Sequence, residues 1–170
     1  YNISIKRIAG YDLFEYVMFE LNKSSGTCFF LGSTQNTLKK INDRAMIDFP
    51  NITVKSYSPP MKDYFSKKDS EIMIEKIKNS NCDVVFVGMT APKQEKWVNK
   101  NISYFDDKFV CSVGAVFDFY ARNIPRAPSI FIYLGLEWIY RSLISKRLFV
   151  RNFISNPNFL FLILIKYFRK

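Results

Sequence analysis

Three short clusters carry residue types that could do chemistry. The first is Gly88-Met89-Thr90-Ala91-Pro92-Lys93-Gln94-Glu95, which follows the apolar run DVVFVG. A glycine at that place lets backbone approach a ligand. A helix opening at Pro92 would turn its free N–H groups toward the same spot. Lys93 and Gln94, in the first turn, could then meet a phosphate or a ribose. The same residues also fit a plain strand–helix turn with solvated polar side chains, Glu95 being a favourable charge near the helix start. The second cluster is Ser112-Val113-Gly114-Ala115-Val116-Phe117-Asp118. Small residues around Gly114 again permit close approach, and Asp118 could accept hydrogen bonds from a base or a ribose hydroxyl. An Asp that caps a turn is the alternative. The third is Arg126-Ala127-Pro128, followed by Leu136-Glu137-Trp138-Ile139-Tyr140-Arg141. Arg126 and Arg141 could grip a pyrophosphate by bidentate contacts. Glu137 and Arg141 also have the spacing of an ordinary i, i+4 ion pair, and Trp138 suits a core position.

Composition narrows the chemistry. The chain has no histidine, which removes the commonest general base and the commonest transition-metal ligand. A Ser-His-Asp triad, a Cys-His dyad and an imidazole zinc site are therefore excluded within it. Cys28, Cys82 and Cys111 are odd in number, widely spaced and flanked by apolar residues. That pattern suits reduced, buried thiols rather than a disulfide frame or a zinc site. No helix-turn-helix, aromatic RNA-binding signature or zinc module accompanies the basic balance, so nucleic acid is not an expected partner.

The elements that must position these clusters alternate. Runs of strand length with β-branched and aromatic content occur at Thr27–Gly32, Ile52–Tyr57, Asp83–Gly88 and Lys108–Val113. Helical stretches lie before and between them. Tyr11–Leu21 has Leu13, Val17 and Leu21 on one stripe. Gln35–Phe49 follows, then Asp69–Asn79 with Asp69 as expected N-cap, and Pro92–Asn101. This alternation predicts an α/β fold with a parallel sheet, in which ligands sit outside the carboxyl ends of the strands. With 170 residues the chain has about the length of one domain. The alternating α/β part is taken as 1–128 and a helical appendage as 129–170. The appendage is expected to hold one long helix over Ser129–Ser145 and a last helix from Asn156-Pro157 through Phe168.

Charge is concentrated at the end. Of a net charge of +10, seven charges come from Arg141, Lys146, Arg147, Arg151, Lys166, Arg169 and Lys170, with no acid after Glu137. Nineteen of the last 33 residues are apolar. A basic and apolar tail suits an anionic lipid surface or phosphates, or a solvated basic face whose apolar residues close on the main domain. Its longest apolar run, Phe159–Ile165, is far short of the roughly 20 residues that span a bilayer.

Taken together, these clusters resemble the WecG/TagA/CpsF family of bacterial glycosyltransferases. The matching stretches are the Pro-Lys-Gln-Glu of Gly88–Glu95, Val113–Asp118, Arg126–Pro128 and Leu136–Arg141. Arg7-Ile8-Ala9-Gly10-Tyr11-Asp12-Leu13 and the turn Ser58-Pro59-Pro60 join them in the family's order. The resemblance implies a Rossmann-like α/β domain with a C-terminal helical appendage that contacts the membrane. It implies transfer of an N-acetylmannosamine-like sugar from a UDP-sugar donor to a polyprenyl-diphosphate-linked acceptor, in teichoic acid or surface polysaccharide synthesis. It further implies an inverting reaction on the inner face of the bacterial plasma membrane, no cofactor or metal, and a homodimer. Carried over by position, Gln94 and Asp118 would contact the nucleoside, with Lys93 and Gly114 beside them, and Tyr64 would line the pocket. Arg7 would face the sugar or phosphate side. Arg126, Arg141, and Arg147 or Arg151 would neutralise the leaving diphosphate.

Departures from the pattern are specific. Arg122-Asn123 stands where the family has a small glycine turn, and Ser145-Lys146-Arg147 lacks the usual proline. The family's Asp-Gly segment, whose Asp is the proposed base, has no counterpart here. The base is therefore expected upstream of Tyr1, with roughly the first third of a full-length member absent. A catalytically inactive, membrane-bound assembly module of the same fold is the alternative.

Overall fold

The computed structural model describes residues 8–105 and 107–144, with the side chains of Trp138 and Arg141 left aside. The chain divides into two compact units, Tyr1–Ile124 and Pro125–Lys170.

The first unit is built on a four-stranded parallel sheet: β1 (Thr27–Gly32), β2 (Thr53–Tyr57), β3 (Val84–Gly88) and β4 (Phe109–Ser112), in the order β2-β1-β3-β4. In register, Cys28 faces Val84, Phe30 faces Phe86 and Gly32 faces Gly88. The inner strands are buried along nearly their whole length, as expected where helices cover both faces of a parallel sheet. Alternate residues feed two cores. Cys28, Phe30, Val84 and Phe86 point to one face, where α1 (Gly10–Ser24), α2 (Gln35–Asp48) and α5 (Val116–Tyr120) pack. Phe29, Leu31, Val85 and Val87 point to the other, against α3 (Lys67–Lys78) and α4 (Lys93–Lys100). The first core is aromatic. Phe14 lies 4.9 Å from Phe86 and 5.0 Å from Tyr120 by ring centroids, and Phe117 meets Phe30 edge-on at 5.5 Å. Tilted and edge-on geometries are those that aromatic pairs favour.

The parallel α/β architecture expected from the alternation is the one found, and the four strands lie within a residue at either end of their predicted ranges. Three local expectations are corrected. The buried stripe of α1 is Phe14, Met18 and Leu21, with Leu13 only half-buried. The bulkier Phe14 and Met18 take the core side. At α3 the N-cap is Ser66, not Asp69. Asp69 sits three residues later and completes a capping box, Ser66 Oγ accepting from Asp69 N–H while the Asp69 carboxylate accepts from Ser66 N–H. The third correction lies in the second unit. The expected long helix is two short ones, α6 (Ser129–Tyr133) and α7 (Glu137–Ile144), broken at Gly135 with φ +74°. Leu136 N–H returns to Phe131 O at 2.8 Å, and Phe131 and Tyr140 meet at 5.6 Å. The expected helix from Asn156 lies outside the described residues.

The three cysteines are free, and Cys28 and Cys82 are buried. Burial pushes the Cys28 thiol up to about 12, so it behaves as an inert apolar side chain. Among the described residues no helix is long and apolar enough to cross a membrane.

The α3 cap has a pH signature. A hydrogen bond from the Lys62 ammonium, then those from Ser66, hold the Asp69 carboxyl down at about 2. A carboxyl whose folded value lies below its unfolded one stabilises the fold above the unfolded value. That contribution disappears as pH falls through the folded one. Chemical denaturation of wild type and Asp69→Asn should therefore differ by a constant amount above pH ~5. The gap should close between pH ~4 and the folded value of about 2. A gap that persists unchanged to the acid end would show that the carboxylate charge is not the stabilising element.

Candidate functional site

The carboxyl ends of β1, β3 and β4 gather the candidate residues of the first unit. The chain leaves β1 to form β2 on one side and later returns to form β3 on the other. The switch point therefore lies between β1 and β3, where open α/β sheets hold ligands. Two glycines end those strands. A Cβ on Gly32, whose φ is +119°, would stand 2.5 Å from Gly88 O, and one on Gly88 would strike the Phe117 ring. Only backbone fits there, and it is joined by Ser33 N–H donating to Gly88 O at 3.1 Å. The loop after β2 is fastened to the same point, Ser58 Oγ donating to Ser33 O at 2.7 Å. Val113 N–H donates to Val87 O at 2.9 Å and brings the end of β4 alongside.

Above this junction two polar assemblies are built. The first belongs to the opening turn of α4. Gln94 is 4% exposed. Its Oε1 accepts from Met89 N–H at 3.1 Å, and its Nε2 donates to Glu95 Oε1 at 2.7 Å. Gly114 lies against the amide, where an added Cβ would come within 3.5 Å of Nε2. Lys93 turns the other way. Its ammonium donates to Lys62 O at 2.8 Å and lies 4.8 Å from the Phe65 ring centroid, tying the loop after β2 to α4. Tyr64, in that loop, is 87% exposed.

The second assembly joins α5 to the start of α2. Asn123 Nδ2 donates to Asp118 Oδ1 at 3.2 Å and to Thr37 Oγ1 at 3.0 Å. Asn123 Oδ1 accepts from the Lys40 ammonium at 2.7 Å. Thr37 in turn meets Thr34, the N-cap of α2, at 3.0 Å. Asp118 is thus a half-buried carboxylate held beside the positive end of a 14-residue helix, where negative charge is favoured. A third link anchors the far end of the same pair of helices. Arg44 pairs with Asp48 at 2.8 Å, Tyr120 OH donates to Asp48 at 3.1 Å, and Arg44 donates to Tyr120 O at 3.0 Å.

The structure brings Gln94, Gly114 and Asp118 to one edge of the sheet, with Lys93 beside them in a bracing contact. Arg126 and Arg141 belong to the second unit, Arg126 in the segment before α6. Arg7, Arg147 and Arg151 lie outside the described residues. A shallow hollow lined by Phe29, Lys55, Ser56, Lys76, Asn79 and Ser80 lies on the α3 side of β2, along the middle of the strands. Residues that reading the sequence did not nominate are Ser33, Thr34, Thr37 and Asn123. The signal for the first three was a strand ending in Gly followed by Ser-Thr-x-x-Thr, an N-cap pattern. Asn123 is not nominated because two of its side-chain partners, Lys40 and Thr37, are 83 and 86 residues away.

The turn that places Asn123 is strained. Arg122 has φ +55°, a left-handed conformation that costs an L-residue about 1–2 kcal/mol. Arg122→Gly removes that cost but adds unfolded-state freedom of about 0.5–1 kcal/mol. A net gain of up to about 1 kcal/mol in urea unfolding is expected, with no gain for Arg122→Ala. Equal stability of the two variants would show that the turn is relaxed with any residue.

Comparison with known proteins agrees with the motifs. The profile of the Glycosyl transferase WecG/TagA/CpsF family matches residues 2–170. A Bacillus spizizenii protein named N-acetylglucosaminyldiphosphoundecaprenol N-acetyl-beta-D-mannosaminyltransferase is 36% identical over 137 residues, covering 81% of this chain and 51% of the relative. A protein of the same name from Bacillus subtilis is 32% identical over 139 residues, covering 82% and 52%. One from Staphylococcus aureus is 31% identical over 139 residues, covering 82% and 53%. The chain spans about half the length of these relatives. With that match running along almost every residue, and the motif residues Gln94, Gly114 and Asp118 at one strand-end edge, the chain belongs to the WecG/TagA/CpsF family of glycosyl transferases.

Proposed function

We propose that this chain works as an inverting glycosyltransferase, or the nucleotide-binding part of one. It moves an N-acetylmannosamine-like sugar from a UDP-sugar to a polyprenyl-diphosphate-linked acceptor in teichoic acid or surface polysaccharide synthesis. The observation that carries this reading is the strand-end edge at the switch point. There two side-chain-free strand ends, a buried amide and a carboxylate beside a helix N-terminus stand together, in a family whose relatives are named for this transfer. Gln94 and Asp118 contact the nucleoside of the donor, and Tyr64 supplies an exposed ring from the loop after β2. Arg7 faces the sugar or phosphate side. As the sugar bond breaks, negative charge grows on the departing UDP. The guanidinium groups of Arg126, Arg141 and Arg147 or Arg151 neutralise that charge. An inverting transfer also requires a base to deprotonate the acceptor hydroxyl.

The same reading places the protein, as a homodimer, at the inner face of the plasma membrane. The acid-free end of the chain and the exposed Ile130, Tyr133, Leu134, Leu143 and Ile144 of the second unit support it.

Two measurements test these statements. Titration calorimetry should show wild type binding UDP. Asp118→Ala and Gln94→Ala should each weaken binding about tenfold or more, the cost of a lost buried hydrogen bond. A folded wild type that takes up no UDP overturns the donor assignment. In the second, the chain should co-sediment with vesicles containing anionic lipid, and deletion of 146–170 should abolish this. Undiminished binding by the shortened chain would move the anchor elsewhere.

A further inference from the structure

Lys93 stands in the opening turn of α4, where a cation would suit a phosphate, yet its charge is engaged within the protein. The ammonium donates to Lys62 O at 2.8 Å and lies 4.8 Å from the centroid of the Phe65 ring. Both partners belong to the loop over residues 58–66, between β2 and α3. That loop is held at its start by Ser58 Oγ donating to Ser33 O at 2.7 Å. Its end is held by the Ser66 cap, and the Lys62 ammonium meets both carboxylate oxygens of Asp69 at 2.9 Å. Trp97 Nε1 donates to Ser70 Oγ at 3.2 Å, so α4 and the helix that follows the loop are themselves joined. Tyr64 lies between the two partners of Lys93 along the chain and is 87% exposed. A fastened backbone that displays an exposed ring is a fixed mount for that ring.

We propose that Lys93 is a positioning residue. It latches the loop over 58–66 to α4 so that Tyr64 stands at the mouth of the strand-end edge, and it strengthens nucleotide binding through that loop, not by touching a phosphate. This rests on the reading of the edge as a nucleotide site. The tie from Lys93 runs to α4, whereas the others run to the strand-end junction and to α3. Without it, the middle of the loop would have to be ordered when the ligand arrives, and ordering of that kind lowers affinity.

Calorimetry on the full chain with UDP tests this, using wild type, Lys93→Met, Lys93→Arg, Tyr64→Ala and the Lys93→Met, Tyr64→Ala double variant. Thermal unfolding confirms that each is folded. Lys93→Met keeps the aliphatic stem but loses the donor and the charge, and should weaken UDP binding about three- to tenfold. Lys93→Arg can still donate to Lys62 O and lie over the Phe65 ring, and should recover most of that loss. In the double variant the Lys93 substitution should cost no more than about twofold beyond Tyr64→Ala alone, because both act through one loop. The Lys93→Met loss should also be the same at ~50 mM and ~500 mM salt, whereas a direct phosphate contact would fade as salt screens it. A purely structural role would give losses that add, and that result overturns the proposal. So does a loss that shrinks with salt, one that Lys93→Arg does not recover, or unchanged affinity in Lys93→Met. Each of these leaves the nucleotide site standing, while a wild type that binds no UDP removes both.

Discussion

The close approach of two strand ends is the constraint on which the rest of this structure depends. Gly32 and Gly88 are register partners, and a side chain on either would collide with backbone or with the Phe117 ring. Because neither has one, the ends of β1 and β3 come together at the point where the connections diverge. Ser33 can then reach Gly88 O, and Ser58 can reach Ser33. Three loops are thereby fastened to one spot by backbone hydrogen bonds and a single hydroxyl. Such fastening holds polar groups still at low cost in side-chain entropy.

What is built on that spot is polar and internally satisfied. The first five residues of α4 brace in three directions. Lys93 holds the loop after β2, Gln94 closes onto Met89 and Glu95, and Trp97 Nε1 donates to Ser70 of α3 at 3.2 Å. On the other side, Asn123 sits at the centre of Lys40, Thr37 and Asp118. A buried polar group left without partners costs about 1–3 kcal/mol. Groups already paired within the protein and also offered to a ligand are therefore pre-oriented, and a ligand need not reorganise them. The two aromatic and aliphatic cores beneath carry the stability.

Asn123 ties the turn after α5 to two helices. In that turn Arg122 is left-handed, with φ +55°, and is followed by Asn123. The backbone strain at Arg122 is compensated by the four hydrogen bonds of Asn123, made by N–H to Asp118 O and by its side chain to Asp118 of α5 and Thr37 and Lys40 of α2.

The sequence by itself determined the layer architecture and the strands. Apolar runs of strand length bounded by Gly, alternating with helical stretches, admit little other than a parallel sheet covered on both faces. It also determined the family, because several spaced motifs occur in order. Those signals are local, or depend only on order along the chain. The tertiary structure decided which side chains act on which. It turned Gln94 inward onto Met89 and Glu95, sent Lys93 to Lys62, and set Asp118 beside α2 through Asn123. It also decided that Phe14 and Met18, not Leu13, face the sheet. Local pattern cannot settle these. Hydrogen-bond direction and the choice of buried face depend on partners tens of residues away, which only the packed sheet brings within reach.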